Sequence, residues 1–191
     1  MPEILKADTP LAWVEAVLAD FPEFLNDHAA NERKASAVAM SMIAHYPDKP
    51  ELLSEMVDLA LEELGHYRQV IKLMIENNQT PAADQKDPYV NQLRKHIREG
   101  SSEYFLDRLL SAGVIEARGA ERFGLIAKHH SDSQMQKFYS ALEKSEKSHH
   151  ELFTRLAHSY FPTSEVNLRW QEWLTLEAEV MLAQPIRPRL H

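Results

Sequence analysis

Residues 59–70 read LALEELGHYRQV and residues 141–153 read ALEKSEKSHHELF. Each stretch sets a glutamate three positions before a histidine, Glu63/His66 and Glu146/His149. Residues three apart share a helix face, so each pair presents a carboxylate beside an imidazole. A lone glutamate precedes each pair: Glu32 lies 31 residues before Glu63, and Glu116 lies 30 before Glu146. The halves superpose with a shift of 84 residues at the lone glutamates and 83 at both members of the pairs, as a repeated helical hairpin would. One Glu-x-x-His means little among 20 glutamates and 10 histidines; the ordered, duplicated set means more.

Helical phase sharpens the pattern. The positions sharing a face with Glu32 include Leu25, Ala29 and Ala39; those around Glu63 and His66 include Met56, Leu59, Val70 and Met74. Leu109, Gly113, Ala120 and Phe123 flank Glu116, while Tyr139, Leu142, Phe153 and Leu156 flank Glu146 and His149. All six polar residues therefore fall within apolar stripes. Buried carboxylates are costly, and coordination to metal is one of the few arrangements that compensates. Four carboxylates and two imidazoles in this order are what a four-helix bundle needs to hold two metal ions. The expected ligands are Glu32, Glu63, His66, Glu116, Glu146 and His149, with Glu63 and Glu146 as bridges. Carboxylate with imidazole suits iron or manganese better than copper or structural zinc.

Composition agrees with a helical protein. The chain has 191 residues, enough for one domain with a substantial core. It has only 5 glycines and long stretches rich in Ala, Leu, Glu and Met, with no run of alternating β-branched residues. The expected fold is all-α: a single bundle domain over 1–191, its core helices at 22–45, 50–77, 101–130 and 133–160, with a long central crossover and extra flanking helices. Neither a signal segment nor an apolar run of membrane-spanning length stands out, so the expected compartment is the cytoplasm. With no cysteine, the chain carries no thiolate-bound cluster, and electrons for any redox chemistry must come from elsewhere. The net charge of −8 is uneven: residues 1–80 hold 6 Lys/Arg against 14 Asp/Glu, and the remainder holds 15 of each.

Local signals punctuate the helices. A short helix is expected over 10–19 with Thr9 as its N-cap. Pro47 and Pro50 separate the first long helix from the second, and 77–88 reads as the crossover. A third long helix is expected from near Pro88 to about His130, with a break at Gly100-Ser101-Ser102, and a last one over 165–183 before an irregular surface tail. His150 points about 100° from His149 on a helix, toward solvent or a partner. His28 reads as a hydrogen-bonded core histidine one turn from Glu32, Tyr67 and Tyr139 as packing residues, and Gly113 and Gly119 as sites of close packing, a local bulge or room for substrate. His129 and His130 suit the negative end of a helix dipole.

The stretches NDHAANERKASAVAM (26–40), LALEELGHYRQV, AGVIEARGAERFGLIA (112–127) and ALEKSEKSHHELF resemble the bacterial MiaE family of tRNA hydroxylases. The resemblance covers nearly the whole chain, and IEARGAERF is its most specific part. It implies a ferritin-like four-helix bundle with two iron ions, and a monooxygenase that takes dioxygen and electrons from an external electron-transfer protein. The implied substrate is tRNA, at 2-methylthio-N6-isopentenyladenosine beside the anticodon, hydroxylated on its isopentenyl group. Candidate phosphate contacts are Arg94, Lys95, Arg98, Arg118, Arg122, Lys128, Arg187 and Arg189, although the charge mix over 94–130 by itself reads first as a solvated helical face. Two other di-iron readings compete: a quinone-ring hydroxylase, disfavoured by a mean hydropathy of −0.43 and no amphipathic anchor, and an iron oxidase or peroxidase.

Overall fold

The computed structural model describes residues 5–191. Among these there are seven helices and no strand: α1 (Leu11–Ala19), α2 (Phe21–His45), α3 (Pro50–Glu76), α4 (Pro88–Arg94), α5 (Ser101–His129), α6 (Ser133–Tyr160) and α7 (Thr163–Leu182). Backbone contacts cluster into two compact units. One contains Ala16–Gln85 and Pro188–Leu190; the other contains the described residues up to Glu15, Lys86–Arg187 and His191.

The first unit is the α2–α3 hairpin. Asp20 caps α2, its carboxylate accepting from the Glu23 amide, and Pro22 occupies the first turn, where a missing N–H costs nothing. Pro47 and Pro50 force the chain to turn, and Pro50 opens α3. Met42 on α2 and Leu52, Met56, Val70 and Met74 on α3 are buried, and the Ser36 hydroxyl donates to the Ala60 carbonyl at 2.8 Å. Helix α3 ends where Asn78 takes a left-handed conformation (φ 55°), which asparagine tolerates better than most residues. The crossover then runs back along α2. Gln79 donates to the Pro22 carbonyl (2.6 Å), the Ala82 amide to Asn26 (2.9 Å) and Lys34 to the Gln85 carbonyl (3.2 Å), with an Arg33–Asp84 ion pair beside them.

The second unit is the α5–α6 hairpin with α7 laid against it. Asp132 caps α6 through the Gln134 amide (2.6 Å). Leu106, Leu109, Val114, Phe123 and Ile126 of α5, Tyr139, Leu142 and Leu156 of α6, and Trp173 of α7 are buried. The expected third helix breaks earlier than its glycine suggests. Helix α4 stops at Arg94, and α5 starts only at Ser101. Between them the Arg98 amide and guanidinium both donate to the buried Asp107 carboxylate at 2.9–3.0 Å, which holds the chain out of helix. Thr9 is not a side-chain cap for α1: its hydroxyl donates to Glu121 at 2.6 Å and accepts from Arg118 and Arg122. The tail is irregular, as expected, but it is not merely superficial. Leu190 is buried, its amide donates to Asp27 (2.8 Å), and Arg189 binds Glu23 (3.0 Å).

Candidate metal centre

Each hairpin carries one carboxylate–imidazole triad. In the first, α2 contributes Glu32 and α3 contributes Glu63 and His66. One ligand atom from each lies within 4.8 Å of the others. His66 turns Nδ1 to both carboxylates, 3.6 Å from Glu32 and 3.5 Å from Glu63, and its Nε2 toward Glu62 at 3.9 Å. The Glu32 carboxylate also accepts a 2.6 Å hydrogen bond from His28, which is fully buried.

The second triad repeats the plan. Helix α5 contributes Glu116 and α6 contributes Glu146 and His149, again with one atom each inside 4.8 Å. His149 turns Nδ1 to Glu116 and Glu146, both at 3.9 Å, and Nε2 toward the Ser145 hydroxyl at 3.5 Å. In both triads the outward ring nitrogen faces the side chain four residues earlier on its own helix. Gly119 makes room here: a Cβ at that position would sit 3.3 Å from the Glu146 carboxylate. Side-chain exposure stays low, from 1% at Glu63 to 12% at Glu116.

These distances decide what the triads suit. Nitrogen–oxygen separations of 3.5–3.9 Å are looser than ordinary hydrogen bonds, as expected of donors placed to share an ion. Electrostatics within the first triad agree. Burial opposes ionisation of Glu32, but the His28 hydrogen bond and the facing His66 imidazole outweigh it and hold the carboxyl well below its usual range. Burial also opposes charge on His66, yet Glu32 and Glu63 push it up to about 10. Without metal, a proton on His66 supplies the positive charge that the carboxylates demand. A divalent ion would take over that role.

Several other expectations need correction. His150 faces neither solvent nor a partner: it is buried, its Nδ1 lies 2.8 Å from the Gly113 carbonyl, and its ring lies against Trp170 of α7. Arg118 and Arg122 are buried and are not phosphate contacts. Arg118 forms a two-bond pair with Glu177 (2.7 and 2.8 Å), and Arg122 bonds Thr9 and stacks over Trp13. Arg98 is engaged by Asp107 and Arg189 by Glu23, whereas Arg94, Lys95, Lys128 and Arg187 are exposed. Tyr139 packs on Phe123 and Phe138, as expected. The Glu62 and Ser145 contacts escaped sequence reading, although their i−4 spacing from the histidines was visible.

With the triads in view, comparison with known proteins is direct. The sequence profile of the family described as tRNA-(MS[2]IO[6]A)-hydroxylase (MiaE) matches residues 1–191. The chain belongs to the MiaE family. A tRNA 2-(methylsulfanyl)-N(6)-isopentenyladenosine(37) hydroxylase of Pseudomonas putida is 37% identical over 169 residues, covering 87% of this chain and 82% of the relative. The protein of the same name from Salmonella typhimurium is 29% identical over 189 residues, covering 97% of this chain and 68% of the relative. A solved structure, "Protein 43 with aldehyde deformylating oxygenase activity from Synechococcus", superposes with a TM-score of 0.93 at 35% identity, covering 98% of this chain and 94% of the other. The fold is thus the all-α, ferritin-like one, and MiaE membership makes the chain an enzyme. Among the described residues, no helix is long and apolar enough to cross a membrane.

Proposed function

We propose that this chain is a non-haem di-iron monooxygenase that hydroxylates the isopentenyl group of 2-methylthio-N6-isopentenyladenosine in tRNA. The observation that carries the reading is the pair of matched triads in a chain that belongs, end to end, to the MiaE family. On this reading the chain is a single ferritin-like domain spanning 1–191. Glu32, Glu63 and His66 would hold one iron, and Glu116, Glu146 and His149 would hold the other. Iron bound there would supply dioxygen activation, with two external electrons and two protons consumed per turnover as one oxygen atom enters a C–H bond and the other leaves as water. Those electrons come from a separate electron-transfer protein, because the chain has no cysteine to hold a cluster of its own.

The chain's own residues prepare this chemistry. His28 fixes one oxygen of Glu32 and keeps that carboxylate ionised. A metal at His66 would require the neutral imidazole, so the proton that His66 carries would leave to solvent on binding. The apolar flanks, among them Leu59, Val70, Leu142 and Phe153, keep water from the ligands. The modified adenosine, exposed in the anticodon loop, would be read as an unstacked base. The cytoplasm, where tRNA is modified, is the proposed compartment.

The test is direct. Iron-loaded, reduced protein is given oxygen and tRNA bearing the methylthio-isopentenyl nucleoside, and the digested nucleosides are weighed by mass spectrometry. Gain of one oxygen, absent with Glu63→Ala, supports the reading. No gain, with iron loading and oxygen consumption verified, overturns it. A second reading has its own support in the likeness to the Synechococcus protein. Under it, the same preparation would remove the formyl carbon of an aldehyde.

A further inference from the structure

An acidic protein that binds a polyanion needs a local exception to its charge. The net charge is −8, and many of the arginines outside residues 1–80 are spent internally, on Glu177, Thr9, Asp107 and Glu23. One exception lies beside the second triad. An open groove of about 680 Å³ runs between the last turns of α5 and the first half of α6. Lys128, Lys137 and Lys144 line it, with Gln136 and Ser140 between them. All three lysine side chains are exposed, and none of their ammonium groups has a hydrogen-bond or ion-pair partner among the described residues. The one acid lining the groove, Glu143, is already paired with Lys147.

The shape has a sequence cause. A Cβ at Gly124 would approach the Glu143 carboxyl to 3.0 Å, so glycine keeps the floor open where α5 passes α6. Lys137, Ser140 and Lys144 follow the i, i+3, i+7 spacing and form a row on one face of α6, about 10 Å long. Lys128 stands on the α5 side. A row of that length spans more than one phosphate, and lysine serves phosphate as a mobile point charge rather than a rigid fork. Glu143 lies a single turn before Glu146, so the groove opens about 5 Å along α6 from a triad residue.

We propose that this groove docks the sugar-phosphate backbone of tRNA and sets the register in which the modified adenosine is presented; the inference rests on the tRNA reading above. Direct contacts to phosphate position a nucleic acid without reading its sequence. The groove therefore governs affinity and placement, leaving nucleoside identity to the site itself.

The test is a charge reversal, Lys128→Glu/Lys137→Glu/Lys144→Glu, in the full iron-loaded chain, with helical content and iron stoichiometry verified. Dissociation constants for the methylthio-isopentenyl tRNA are measured across a salt series. The expected result is at least a tenfold weaker affinity at low salt, and a log Kd against log salt slope shallower by about two to three. Lys72→Glu, on exposed α3, serves as control and keeps wild-type affinity. Equal affinity and slope in the triple variant, while wild-type protein hydroxylates the same tRNA, overturn the groove and leave the function standing. An equal loss in the control also overturns it, since any reversed surface charge would then do the same. If the wild type neither binds nor modifies that tRNA, the tRNA reading fails and the groove fails with it.

Discussion

The Glu32 carboxylate, held between His28 and His66, is where a single side chain has the most to lose. His28→Ala removes a 2.6 Å buried hydrogen bond but no proposed ligand. Residues that orient ligands typically contribute about 10–100-fold to metal affinity, so iron titration of His28→Ala should show weakened binding at one equivalent. Unchanged affinity at both equivalents would mean that His28 only packs. Gly119→Ala should separate stability from binding. Alanine gains roughly 1 kcal/mol in a helix interior, yet its Cβ would press on Glu146 at 3.3 Å. The variant should therefore melt no lower than wild type while taking up less metal; a lower melting temperature with full metal content would refute this. His66 gives the pH dependence. Its folded value is raised from 6.5 to about 10, so its stabilisation of metal-free protein is complete below pH 6.5 and lost as pH climbs through about 10. Manganese affinity should rise over the same window, because uptake displaces that proton. Urea midpoints of wild type and His66→Gln should converge by pH 10, and a constant gap would exclude the shift. All six triad residues were legible because helical phase needs only local spacing. His150 and Arg118 were not, because what covers the far face of α5 and α6 is α7, and no period in the sequence says where α7 docks.

Helix α7 is held by charge as well as by Trp173. The buried Asp107 carboxylate accepts from Arg169 (2.7 and 2.9 Å), Arg98 and the Trp173 indole (3.2 Å), tying α7 and the 95–100 turn to α5. Burial alone would raise its pKa, but the hydrogen bonds from Arg169 and Arg98 outweigh that and hold it below 3.8. The sign follows: this stabilisation is present above pH 3.8 and fades as pH falls through the lower folded value. Asp107→Asn leaves arginines facing a neutral amide, and breaking a buried pair costs about 3–5 kcal/mol. Chemical unfolding at neutral pH should show that loss, with a flatter acid limb; a cost below about 1 kcal/mol would make the cluster incidental. The same cluster explains which element boundaries the sequence withheld. The ends marked by Pro47 and Pro50 were readable to within two residues, since prolines act locally. The stop of α4 at Arg94 depends on a carboxylate nine residues beyond Arg98, and the Thr9 hydroxyl is claimed by Glu121, more than a hundred residues away.

At the scale of the whole molecule, the metal is the factor most able to change stability. Each triad buries two carboxylates with one histidine inside 4.8 Å, an arrangement that lacks a balancing charge unless His66 or His149 is protonated or an ion is bound. An ion that binds only the folded chain stabilises it by mass action, about 2.7 kcal/mol per site at a hundredfold excess over Kd. In a chain of this size 1 kcal/mol corresponds to about 2–4 °C. Chelated protein should therefore melt about 5–10 °C lower for each site emptied, and anaerobic ferrous iron or manganese should restore the difference. The restoration should depend on metal concentration, and Glu63→Ala or Glu146→Ala should blunt it. Zinc offers a useful contrast, since it can bind and stabilise without supporting redox turnover. Stabilisation by zinc with no oxygen consumed would separate the folding role of the triads from their chemistry. If the melting temperature ignores both chelation and added metal, while both variants melt with wild type, the triads are buried polar packing and hold no ion.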